Sequence, residues 1–82
     1  MAYAILIHLI EAEAVNKLSG ETLLSIKGDA ELASYSESCI YKTIQKLLER
    51  ACVARGVKVG KAETFYISDA GMDSLKEAGY VA

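Results

Sequence analysis

Proline is missing from the 82 residues, so nothing along them forces a helix to break or bars a strand from pairing. Long apolar runs are missing too, and none approaches the roughly 18 residues needed to cross a bilayer. Met1 is followed by neither a basic segment nor a small-residue cleavage site. A soluble, cytoplasmic protein is therefore expected. Histidine occurs once, as His8, and without an evident triad partner it reads as a packed or surface residue rather than a catalytic or metal-binding one. The two cysteines, Cys39 and Cys52, lie 13 positions apart, a spacing that matches no usual metal motif. Both fall within apolar patterns and read as small core residues, not as a disulfide or a sensor pair. There is no glycine-rich phosphate loop, no nucleophile elbow and no metal-ligand cluster. An enzyme, a metal site and a bound cofactor are accordingly not expected. Glu11 with Glu13, and Asp69 with Asp73, read as a solvated face and a helix-start bias instead of catalytic pairs. Internal repeats and low-complexity linkers are absent, and 82 residues allow one small domain, spanning 1–82.

What is present is about half apolar and a quarter charged, the balance of a globular domain. The net charge of −2 argues mildly against a nucleic-acid partner, but its distribution argues for one. Lys42, Lys46, Arg50, Arg55, Lys58 and Lys61 face one acid, Glu49, between residues 42 and 61, a local balance of +5 that leaves −7 for the rest. Segregation of this kind puts a positive face on an acidic body, and the face is what a polyanion meets. A set of ordinary solvated lysines is the plainer reading of the same residues.

Residues 2–14, "AYAILIHLIEAEA", have helix length, and Ala2, Ile5, Leu6, Leu9 and Ile10 make one apolar face. Tyr3 and Ile7 extend that apolarity around the side, which suits a second neighbour such as another subunit. After the break "NKLSGET", with Ser19 as a candidate N-cap, "ETLLSIK" reads as a short helix or a strand-like piece ended by Gly28. "DAELAS", 29–34, reads as a further helical turn that Asp29 can cap.

The segment "SESCIYKTIQKLLERA", 36–51, is clearer. It opens at Ser36 or Glu37 and places Ile40, Ile44, Leu47, Leu48 and Ala51 on one buried stripe. Ser38, Tyr41, Lys42, Gln45, Lys46 and Glu49 lie opposite, a face of hydroxyls, an amide and ammoniums able to address base edges and phosphates. Two β-prone runs, "CVARGVKV" and "AETFYIS", flank Gly60-Lys61 and predict a hairpin. In "TFYISDAG", Phe65 and Ile67 alternate inward, Ser68 caps a new helix and Asp69 suits its first turn. Gly71 in that turn lets strand and helix pack closely. The last helix, "DAGMDSLKEAG", presents Met72, Leu75 and Ala78 inward and ends at Gly79, leaving "YVA" to pack or fray.

A helix-turn-helix followed by a hairpin is the winged-helix arrangement, and from about residue 29 onward the chain resembles winged helix-turn-helix transcription regulators, most of all the PadR family. Two stretches carry the likeness. "SESCIYKTIQKLLERACVARG" is similar to that family's serine-started recognition helix with its early aromatic and I-x-x-L seam. "TFYISDAG" is similar to its strand-to-helix junction of an aromatic, an aliphatic, Ser or Thr, and Gly. The resemblance implies an α+β, mostly helical fold: a three-helix bundle, a two-stranded β-hairpin wing and a C-terminal helix. It implies a small transcriptional regulator binding double-stranded DNA sequence-specifically, with the recognition helix, about 36–51, in the major groove and the wing, about 52–68, on the backbone. Carried over to this sequence, Ser36, Ser38, Tyr41, Lys42, Gln45 and Lys46 form the reading face, and Arg55, Lys58 and Lys61 the wing contacts. Gln45 suits bidentate adenine readout, and the lysines phosphate or guanine. A homodimer through the first helix, the last or both is also implied. The helix before the recognition helix is either "ETLLSIK" or "DAELAS". Because the same fold serves protein-interaction modules, a module without DNA binding is the alternative. Positive charge concentrated on the third helix and hairpin separates the two, since an interaction module has no need of it.

Overall fold

Apolar residues at helical spacing bury one side of the first helix, α1 (Ala2–Glu11), through Ile5, Leu6 and Leu9, with Ala2, Ile7 and Ile10 packed at its edges. The computed structural model describes residues 2–79, so the tail "YVA" lies outside the described residues. Beyond α1 the chain runs through β1 (Glu21–Thr22), α2 (Leu23–Lys27), α3 (Glu37–Glu49), β2 (Val53–Arg55), β3 (Thr64–Ile67) and α4 (Asp69–Glu77). This is a winged helix-turn-helix, with α2 and α3 as the helix pair and the β2–β3 hairpin as the wing.

The wing belongs to a three-stranded antiparallel sheet rather than a two-stranded one. Its order is β1-β3-β2, with Glu21 opposite Phe65 and Thr22 opposite Thr64 on one side of β3. On the other side Val53 pairs with Ile67, Ala54 with Tyr66 and Arg55 with Phe65. "ETLLSIK" therefore holds both of the forms read from it, two strand residues and then a helix. Ser19 does not cap that helix; its hydroxyl turns back to Asn16, and Thr22 is the cap, accepting from the Ser25 N–H at 3.2 Å. "DAELAS" is a run of turns and not a helix, so α2 is the helix that precedes α3. The run is pinned by buried Leu32 and by Asp29, whose carboxylate accepts the Glu31 N–H at 2.9 Å.

One core joins the four helices to β2 and β3, drawing Ile26 from α2, Ile40, Ile44 and Leu47 from α3, Val53, Phe65 and Ile67 from the sheet, and Leu75 from α4. Burial of these side chains, each worth about 1.5–3 kcal/mol, is the main force holding so small a domain. Three residues expected inside lie outside. Cys39 is exposed on α3; Ala51 is exposed because it takes φ +60° to turn the chain from α3 into β2; Ala78 is exposed as the C-cap of α4. Cys52 is buried as expected.

The strand-to-helix junction forms as its residues predict. The Ser68 hydroxyl donates to the Ala51 carbonyl and accepts the Gly71 N–H at 3.3 Å. A Cβ at Gly71 would overlap the Cys52 carbonyl oxygen and come within 2.8 Å of Ile67 Cγ1. His8 is part-buried and packed: its Nδ1–H donates to Asp29 at 2.8 Å and its Nε2 lies 3.4 Å from Glu21. It ties α1 to the turn after α2. The Glu31 N–H first, and His8 second, hold the Asp29 carboxyl below its usual range.

Candidate nucleic-acid interface

α3 begins where Ser36 accepts the Cys39 N–H at 3.2 Å, with Glu37 in the first turn to complement the helix dipole. Its stripe of Ile40, Ile44 and Leu47 seats the helix against the core, with Leu48 half-buried beside it. That seating turns Ser36, Ser38, Lys42, Gln45 and Lys46 to solvent, as their spacing predicts. Tyr41 differs: it is half-buried, packing against the core and lining a shallow apolar recess with Leu23, Leu24 and Ala62.

The wing carries three more exposed cations, and it is built by another route. Val59 and Ala62 pair across the Gly60-Lys61 turn, where Gly60 has φ +62°. Arg55, Lys58 and Lys61 are all exposed. Arg55 Nε lies 3.7 Å from Glu63 Oε2, with the two side chains 53% and 38% exposed, an ion pair that steers the guanidinium but adds little stability. Between helix and wing runs an open groove lined by Gln45, Leu48, Glu49 and Arg55. Gln45 and Arg55, ten residues apart in sequence, thus line one groove.

One basic residue near the wing was not singled out from sequence. Lys17, in the loop after α1, is exposed, and its carbonyl accepts the Val57 N–H at 2.8 Å at the base of the wing. No local pattern announces it, because the contact spans forty residues. Among the described residues no group of three or more His, Cys, Asp or Glu side chains is placed to hold a metal ion. No helix among them is long and apolar enough to cross a membrane.

No protein-family profile matches the chain. It is 34% identical over 74 residues to the DNA-binding protein TubR of Clostridium botulinum C phage, an alignment covering 90% of this chain and 88% of the relative. The solution structure of a DNA-binding TubR fragment from Clostridium botulinum is 32% identical and superposes with a TM-score of 0.70, covering 94% of this chain and 91% of that one. TubR from Bacillus megaterium pBM400 superposes with a TM-score of 0.79, covering 98% of this chain and 84% of that one; at 24% identity this likeness bears on the fold alone. The resemblance to PadR regulators reaches no further than the winged-helix arrangement, since these relatives are TubR proteins. At 34% identity across nine-tenths of its length, the chain belongs to the TubR family.

Proposed function

We propose that the chain binds double-stranded DNA sequence-specifically as a small regulator, with α3 entering the major groove and the wing lying on the backbone. The observation that carries this reading is the convergence of Lys42, Lys46, Arg55, Lys58 and Lys61, all solvent-exposed, on the two elements that meet at the Gln45–Arg55 groove. Relatives named as DNA-binding proteins support it. They favour a binding protein over an enzyme, and they lend nothing to a protein-interaction module without DNA. In this arrangement Ser36, Ser38, Gln45 and the tip of Tyr41 address base edges, Gln45 with the bidentate geometry adenine needs. Lys42 and Lys46 meet phosphate or guanine, and Arg55, Lys58 and Lys61 meet the backbone. A homodimer through α1, α4 or both would present two such faces to a two-fold site. Tyr3, 54% exposed on α1, is the residue that suits the contact; light scattering should find a dimer that Tyr3→Glu dissociates, and a monomeric native protein would remove the idea.

Fluorescence anisotropy of a mixed-sequence duplex against salt tests the DNA reading. The log–log slope should correspond to several released ions and should fall by about 2 when Lys42 and Lys46 become alanine, if both meet phosphates. A Lys42→Glu/Lys58→Glu variant should not bind. Absence of binding by the native protein at low salt would sink the proposal.

A further inference from the structure

The wing carries an extra residue between its base and its tip. The sheet register runs through Arg55 opposite Phe65, and the Gly56 N–H then donates to the Thr64 carbonyl at 2.9 Å. At the tip, Val59 and Ala62 exchange hydrogen bonds of 3.0 Å in both directions. Val57 and Lys58 therefore stand against Glu63 alone. Two residues facing one make a β-bulge, which takes backbone groups out of the ladder and bends the strand. Whatever satisfies those groups sets the direction of everything beyond them.

Both polar groups of Val57 find partners outside the ladder. Its N–H donates to the Lys17 carbonyl, and its carbonyl accepts the Thr64 hydroxyl, each at 2.8 Å. Thr64 is 1% exposed, a polar side chain inside the core. Its hydroxyl lies in a slot between two glycines: a Cβ on Gly20 or on Gly56 would come within 2.6 Å of Thr64 Oγ1. The Gly56 Cβ would also press on the Lys17 carbonyl oxygen at 2.8 Å. Two chain segments, 17–20 and 56–57, thus close on one hydroxyl group at the point where the wing leaves the body.

Resting on the DNA-binding reading, we propose that Thr64 is a positioning residue of the wing, its hydroxyl holding the bulge that aims Lys58 and Lys61 at the DNA backbone. Arg55 precedes the bulge and takes its place from the regular ladder, so it does not depend on this bond. Beyond Val57, the backbone hydrogen bonds of the tip are those of the Val59–Ala62 bridge.

Thr64→Val keeps the side-chain shape and removes the donor, leaving the Val57 carbonyl without its partner. DNA binding by this variant should lose about 1.8 from its salt slope, the loss expected from Lys58→Ala/Lys61→Ala if each lysine meets one phosphate. Adding the two lysine substitutions to Thr64→Val should then change little, whereas Arg55→Ala should remain additive, and Thr64→Ser should restore the native slope. A native slope in Thr64→Val, or full additivity with the lysine substitutions, would overturn the proposal. Two readouts need no DNA. The amide resonances of Val59, Gly60 and Ala62 should shift in Thr64→Val, and in the native protein the Val57 amide should exchange slowly. Unshifted resonances or a fast Val57 amide refute the clamp even if the native protein fails to bind DNA, and the second readout requires no variant to fold.

Discussion

α3 makes its own backbone bonds, its own cap at Ser36 and its own buried stripe, whereas the wing beyond Gly56 has the Val59–Ala62 bridge and leans on Lys17 and the Thr64 hydroxyl at its base. The two halves of one candidate interface are therefore held by different physics. Helical order is local, each bond closing over four residues. The wing's aim is tertiary, because its defining contacts come from a loop forty residues earlier and from the opposite strand. Damage to α3 should show as lost stability, and damage to the wing as altered binding by a protein that still folds.

The largest expected effect falls on the seating of α3. Leu47→Ala truncates a side chain only 5% exposed between α3 and the core. Chemical denaturation should show a loss of roughly 2–5 kcal/mol, and a near-neutral result would mean that α3 is not seated as described. Ser36→Ala confines the damage to α3 by removing the acceptor of the Cys39 N–H. It should cost about 1 kcal/mol in the same measurement. Gly60→Ala is the matching probe of the wing. Its φ of +62° disfavours a side chain, yet a Cβ there meets nothing within 4 Å, so strain is the whole cost. A turn held rigidly would lose about 1 kcal/mol; a tip free to relax around its single bridge should lose less. A loss equal to that of Ser36→Ala would erase the contrast in rigidity between the halves.

The smallest effect concerns where α3 sits rather than whether it forms. Asp29, at the turn between α2 and α3, has its folded-state carboxyl below the unfolded value of 3.8. Its contribution is therefore complete above that value and is lost as pH falls through the lower folded value. Asp29→Asn should flatten the acid limb of a stability–pH curve below about pH 4. An unchanged acid limb would mean that the His8–Asp29 tie does not help to place the helix pair.

Legibility followed the range of each interaction. The apolar stripe of α3 up to Leu47, the caps Ser36 and Ser68 and the Gly60-Lys61 turn each depend on near neighbours, and each stands where its pattern puts it; the close approach at Gly71 also stands as expected, although it is made to Cys52, 19 residues away. β1 announced itself only as one of two forms open to "ETLLSIK". Two residues carry no periodicity, and Glu21 and Thr22 are a strand only because β3 lies beside them. The same holds for 29–34, whose helix-like composition is overridden by the burial of Leu32 and the Asp29 hydrogen bonds. Cys39 looked apolar in sequence but sits on the solvent side of α3. The basic face was visible as a run of charge, but Tyr41's half-burial was not, because it depends on the packing of α2 and the wing against it.

Residue order alone settled that a small domain would place a capped amphipathic helix before a hairpin and a closing helix, and that its cations would gather on the first two. Those outcomes rest on periodicity, capping and turn chemistry, which act between near neighbours. Tertiary contact decided the third strand, the choice of α2 as the helix before α3, the His8 tie and the bulge that aims the wing. Each joins segments far apart in the chain, whose partners exist only once the core has brought them together.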